Sequence, residues 1–133
     1  MIEYSSERRI APAEVLRLMH QTAWGADRTE ADIARALEIA PLRVGAWSDG
    51  RLVGFARALT DGVYRGYVDD VVVDESMRAR GIGRRLLREL LELLAGVELV
   101  ALDCGDDLVP FYESLGFVRS GNARMEALRG RDR

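Results

Sequence analysis

Six residues, Arg78-Ala79-Arg80-Gly81-Ile82-Gly83, combine two cations with two glycines at the start of an apolar helical repeat. Glycine lets a backbone turn tightly and approach a ligand without Cβ clashes. The first amides of a helix have no internal partner, and the helix dipole favours an anion beside them. Arg84 and Arg85 add further positive charge. Together these features read as a phosphate- or pyrophosphate-binding turn. A dinucleotide fingerprint would need a third glycine where Leu86 stands, and glycines directly after a strand. The phosphate loop ending in Gly-Lys-Ser/Thr is absent.

Three other groups carry ionisable chemistry. Asp69 and Asp70 precede the β-branched run Val71-Val72-Val73. Counting by twos along a strand puts Asp69 with Val71 and Val73, and Asp70 on the opposite face. Asp103 follows the next strand, and Tyr112 lies in a short helical stretch. A carboxylate can accept a proton and a phenol can donate one, or each can serve packing and loop capping. The only histidine, His20, reads as a surface or packing residue on a helix, so no histidine cluster exists for a metal. Cys104, the only cysteine, reads as a buried, inert thiol.

The elements that must position these groups follow from periodicity. Ile2–Ser6 reads as a strand, and Pro12 opens a helix with Val15, Leu16, Leu18 and Met19 on one side. Thr29 with Asp32 three residues later caps a second helix, which Pro41 stops. Leu42–Trp47 and Leu52–Leu59 flank Asp49-Gly50, a hairpin signal. Tyr64–Val73 is the next strand, and Gly81–Ala95 is a strongly periodic helix closed by Gly96. Val97–Leu102 is a strand, Leu108–Leu115 a short helix, and Phe117-Val118 with Arg124–Leu128 a last antiparallel pair. The order β-α-α-β-β-β-α-β-α-β-β implies a mixed α/β sheet, mostly antiparallel, with one helical crossover joining two parallel strands.

The chain has 133 residues, which predicts one domain over 1–133 with a frayed tail at 129–133. A formal charge of −3 gives no basic field for nucleic acid. No apolar run reaches the length of a membrane span, and the N-terminus has no signal-peptide pattern. The single cysteine fits a reduced, cytoplasmic setting.

Val71-x-Val73, a short loop, then Arg78-x-x-Gly81-x-Gly83 and an apolar helix resemble the central motif of the GCN5-related N-acetyltransferase (GNAT) superfamily. Downstream, Phe111-Tyr112-Glu113-Ser114-Leu115-Gly116-Phe117 is similar to that family's Phe-Tyr-x-x-x-Gly-Phe helix end. The resemblance spans Tyr4–Leu128 and implies a fold with helices on both faces of the sheet and a splayed parallel strand pair. It implies acetyl-CoA as co-substrate, an amine acceptor and no metal. By that resemblance Val71, Val72 and Val73 hold the pantetheine arm, and an amide near Val71 polarises the thioester. Arg78, Ala79, Arg80, Gly81, Ile82, Gly83 and Arg84 take the diphosphate, and the adenine lies toward Phe111.

Tyr112 matches the tyrosine proposed as general acid. Asp69, Asp70 or Asp103 is the candidate base, with Asp70 preferred because an acid just before Val-x-Val resembles a subgroup carrying a Trp-rich N-terminal loop. The segment His20–Arg28 would line the acceptor pocket, with Trp24 a wall or a core residue and Arg28 an anion-binding or a surface residue. Phe55 and Tyr67 either line the groove or pack in the core. Dimers are common in the family, but no interface patch is legible in the chain. A non-catalytic CoA-binding module and another acyl-CoA donor are the alternatives.

Overall fold

The hairpin signals and β-branched runs fold into one sheet in a computed structural model that describes residues 1–130. Residues 131–133, part of the expected frayed tail 129–133, lie outside the described residues. The chain forms two compact units, Met1–Asp103 and Cys104–Arg133.

The first unit holds strands β1 (Ile2–Ser5), β2 (Arg43–Ser48), β3 (Arg51–Thr60), β4 (Arg65–Val73) and β5 (Leu99–Ala101). Its helices are α1 (Pro12–Met19), α2 (Glu30–Ile39) and α3 (Ile82–Leu93). Pro12 sits in the first turn of α1, where its missing N–H costs nothing. The Thr29 side chain accepts from Asp32 N–H and caps α2.

Sheet order is β1-β2-β3-β4-β5, antiparallel up to β4 and parallel at β4–β5. This is the mixed α/β sheet that the element order implies. One face packs Val15, Leu18, Met19 and Ile33 of α1 and α2 against Leu52, Phe55 and Val72. The other face receives α3 at Gly54, where an added Cβ would meet Leu86 Cδ1 at 2.9 Å and Ile82 Cγ2 at 3.0 Å. Glycine therefore permits the close seating of α3 on β3. Among the described residues no helix is long and apolar enough to cross a membrane.

Two irregularities in β4 matter for the site. The β4–β5 ladder runs Arg65↔Leu99, Gly66↔Val100, Tyr67↔Ala101 and stops, while β4 continues to Val73. From Val68 onward β4 therefore has no rung to β5. Against β3, the register passes from Ala58↔Val68 to Ala56↔Val71. One residue of β3, Arg57, thus faces two of β4, Asp69 and Asp70, which is a β-bulge.

The second unit contains a short helix, α4 (Val109–Glu113), followed by a turn at Gly116 with φ +99°. The expected antiparallel pair of Phe117-Val118 with Arg124–Leu128 is not formed; no strand follows Ala101 among the described residues. Val118, Met125 and Leu128 are instead exposed, at 86%, 87% and 88%. The alternation there is weak, since Arg124, Glu126 and Arg129 surround only two large apolar residues. Burial rather than propensity decides whether such a stretch becomes a strand.

Candidate active site

The glycine turn is built by the loop between β4 and α3. Asp74 opens it by bonding Ser76 N–H at 3.0 Å and the Ser76 hydroxyl at 2.8 Å. Its other oxygen takes Arg17 Nη1 at 3.0 Å and lies 3.5 Å from Arg51 Nη2. Burial would raise the Asp74 pKa, but the bonds from Ser76 and Arg17 and the Arg51 charge outweigh it and hold the carboxyl at about 2. Gln21 accepts from Glu75 N–H at 2.9 Å, so α1 and the second residue after its end grip the loop twice. Neither Asp74 nor Arg17 stands out in the sequence, because an acid after a strand reads as an ordinary loop residue.

Beyond that anchor the backbone takes left-handed values at Ala79, φ 63°, and Gly81, φ 80°. Left-handed geometry at alanine costs about 1–2 kcal/mol, which the surrounding loop must hold in place. Gly81 is the N-cap of α3 and gives no side-chain cap, and the first helical bond runs from Arg85 N–H to Gly81 O. The amides of Ile82, Gly83 and Arg84 consequently have no intrahelical acceptor. Ile82 is buried and pins the helix start, whereas Arg80 is exposed. Arg78 donates from Nε to Val73 O at 3.3 Å, which ties the turn to the strand end. Arg85 instead lies over the Tyr4 ring at 4.5 Å. All seven residues expected to cradle an anion, 78–84, thus lie in one turn and helix start, with the Ile82 side chain as its packing anchor.

Val71 and Val73 are half-buried beside the gap that opens past the last β4–β5 rung, and Val72 is buried on the α1 side. Burial alternates along β4 as expected, with Asp70 buried like Val72 and Asp69 exposed, yet across the bulge both carboxylates reach Arg57. Arg57 Nη2 bonds Asp69 Oδ2 at 2.9 Å, and Arg57 Nε bonds Asp70 Oδ2 at 2.6 Å. Arg28 Nη1 reaches the same Asp70 oxygen at 2.9 Å. The Asp70 side chain is 2% exposed and that of Asp69 31%. Arg57 carries no motif, yet a lone arginine within the apolar run of β3 is a signal, since a buried charge needs partners.

The segment after α1 is held by His20 Nε2 on Arg28 O at 2.9 Å. His20 is exposed, the surface position that is one of its two expected readings. Trp24 is half-exposed rather than core, and the Arg28 guanidinium lies 5.2 Å from its ring centroid. Phe55 is core, while Tyr67 is half-buried and its hydroxyl donates to Asp103 at 2.6 Å. Asp103 therefore engages β4 at its last rung to β5.

In the second unit Tyr112 is buried and packs edge-on to Phe111 and Phe117 at 5.0 and 5.9 Å. Burial, with a smaller push from Cys104, raises its pKa above the ordinary 10.0. The hydroxyl is therefore protonated at neutral pH, as a proton donor must be. Cys104 is exposed, not buried as expected, because β5 ends three residues earlier and leaves it in a loop.

Fold and turn together define a class in which a helix start without a side-chain cap follows a strand that runs on past its last rung to β5. The Acetyltransferase (GNAT) family model matches residues 11–117, and the chain belongs to that family. It is 40% identical over 102 residues to "Serotonin N-acetyltransferase 2, chloroplastic" of Oryza sativa subsp. japonica, covering 72% of this chain and 51% of that one. A GNAT-family protein from Xanthomonas campestris pv. campestris superposes with a TM-score of 0.80 at 26% identity, covering 91% and 87% of the two chains. A GNAT-family acetyltransferase from Streptococcus pneumoniae TIGR4 shares the fold with a TM-score of 0.78 at 24% identity, covering 98% of each chain. The chain spans about half the length of the curated relatives it matches.

Proposed function

We propose that the chain works as one acyltransferase domain that moves an acetyl group from acetyl-CoA to a primary amine. The observation that carries this is the uncapped start of α3 behind left-handed Ala79 and Gly81, joined to a strand whose inner edge has no partner. The residues fit the co-substrate: the amides of Ile82, Gly83 and Arg84, with the Arg80 guanidinium, suit a diphosphate. The backbone of Val71 and Val73, past the last rung to β5, suits an extended amide-bearing arm.

The acceptor must lose a proton before its nitrogen attacks the thioester carbon. Asp69 is our assignment for the group that takes it, because its carboxylate retains exposure at the bulge. Asp70, shared between two guanidiniums, holds Arg28 and Arg57 in place. As the C–S bond breaks, the leaving thiolate takes the Tyr112 proton; this role rests on the Phe-Tyr-x-x-x-Gly-Phe motif and on the hydroxyl staying protonated. The single cysteine fits a reducing compartment such as the cytoplasm.

The test is thiol release from acetyl-CoA, and from propionyl- and succinyl-CoA, across a panel of amines. Release that depends on amine supports the reading. Binding of CoA without release from any donor overturns it in favour of a non-catalytic CoA-binding module.

A further inference from the structure

Four charged side chains form an alternating row through the bulge: Arg28, Asp70, Arg57, Asp69. Its links are 2.9 Å from Arg28 Nη1 to Asp70, 2.6 Å from Asp70 to Arg57 Nε, and 2.9 Å from Arg57 Nη2 to Asp69. The inner pair is out of water, with Asp70 at 2% and Arg57 at 10% side-chain exposure. The outer members are not, with Arg28 at 34% and Asp69 at 31%. The row is thus neutral in sum but dipolar, with a cation accessible at one end and an anion at the other.

The cationic end is built to bind. Arg28 is fixed through Nη1, on Asp70 and at 3.6 Å on Met19 sulfur, with the Trp24 ring beside it. Among the described residues its Nε and Nη2 make no hydrogen bond. A guanidinium held this way offers a preorganised fork, the geometry that suits a carboxylate or phosphate. The inner Arg57–Asp70 pair separates the two ends and keeps them from neutralising each other.

We infer that the acceptor is a dipolar amine, carrying a carboxylate or phosphate that Arg28 binds while its amino group lies at Asp69. This rests on the acyltransferase reading and names the class of amine for the same site. A dipolar row favours a ligand whose charges run the opposite way, while offering a simple monoamine no partner for Arg28.

The experiment compares matched pairs: L-phenylalanine with its carboxamide, 4-aminobutyrate with its carboxamide, and 2-aminoethyl phosphate with 2-aminoethanol. Acetyl-CoA thiol release is measured for each with wild type and Arg28→Gln, alongside the melting midpoint of the protein with CoA and each amine. We expect at least one anionic member to exceed its neutral partner in kcat/KM by about tenfold or more. Arg28→Gln should bring that ratio toward one. The first two pairs report a carboxylate and the third a phosphate. Equal or better use of every neutral member overturns the inference while leaving acyl transfer standing, and so does an unchanged ratio in Arg28→Gln. Should no amine be acylated, the acyltransferase reading fails, and the midpoints decide: a larger rise with an anionic member supports Arg28 as an anion site, and equal shifts overturn it. The wild-type ratios stand even if the variant does not fold.

Discussion

Arg57 Nε and Asp70 Oδ2 meet at 2.6 Å inside the sheet, at the only point where one β3 residue faces two residues of β4. A buried ion pair is costly to assemble and costlier to break, because the survivor is left uncompensated. Replacing Arg57 by Met leaves Asp70 with Arg28 alone. The expected loss is about 3 kcal/mol of unfolding free energy, read as a lower urea midpoint at unchanged slope. A midpoint within error of wild type would show that the pair does not hold the bulge.

Asp74 predicts an acid limit. Its folded pKa of about 2 lies below the ordinary 3.8. A depressed carboxyl contributes stability that is fully present above its unfolded pKa and is lost as pH falls through the folded one. The window is therefore roughly pH 5 down to pH 2, and the contribution is about 2 kcal/mol. Asp74→Asn should flatten the stability profile in that window. It should also raise the KM for acetyl-CoA more than it lowers kcat, since Asp74 anchors the glycine turn.

Gly81→Ala separates conformation from crowding. An added Cβ meets nothing within 4 Å, yet φ is +80°. The expected cost is about 1–2 kcal/mol from backbone geometry alone. Calorimetric CoA affinity should fall with it, because the turn relaxes away from the conformation that aims the amides. Affinity equal to wild type would remove the turn from the donor site.

Much of this machinery was legible in the sequence. Gly81 and Gly83 before an apolar repeat marked the turn, and Asp49-Gly50 fixed the hairpin that sets the strand order. The bulge was not legible, since Asp69 and Asp70 on a strand read as an ordinary alternating pair. Only Arg57, on a different strand, reveals why both carboxylates share one guanidinium, and strand pairing is a long-range property. Val118, Met125 and Leu128 failed in the opposite sense. They carry strand-like side chains, but local pattern does not say whether a surface exists to bury them.

Tyr112→Phe keeps the ring and its edge-on contacts with Phe111 and Phe117 while removing the hydroxyl. We expect kcat to fall about 10²-fold with little change in melting temperature. The sign follows from the raised pKa: activity of the wild type should persist up to alkaline pH and fall only above the ordinary tyrosine value of 10.0. The variant should lose that alkaline limb.

Gly54→Ala should push against Leu86 and Ile82, whose atoms lie at 2.9 and 3.0 Å from the added carbon. Overpacking of this kind costs about 1–3 kcal/mol. Because Ile82 is the first residue of α3, a weaker CoA affinity should accompany the lower urea midpoint. Loss of stability with undiminished affinity would show that the helix shifts without moving its start.

The three-rung ladder between β4 and β5 has a consequence for amide exchange with solvent. Most sheets keep their unpaired backbone at the outer rim, where fraying is fastest. Here the run Val68–Val73 has a strand on one side and an opening on the other, in a strand that is interior by order. Alternate amides of this run should take up deuterium quickly while their neighbours, bonded to β3, stay protected. Such a comb-like labelling pattern would mark a place where the sheet has room for a guest, and its disappearance on adding CoA would time the guest's arrival.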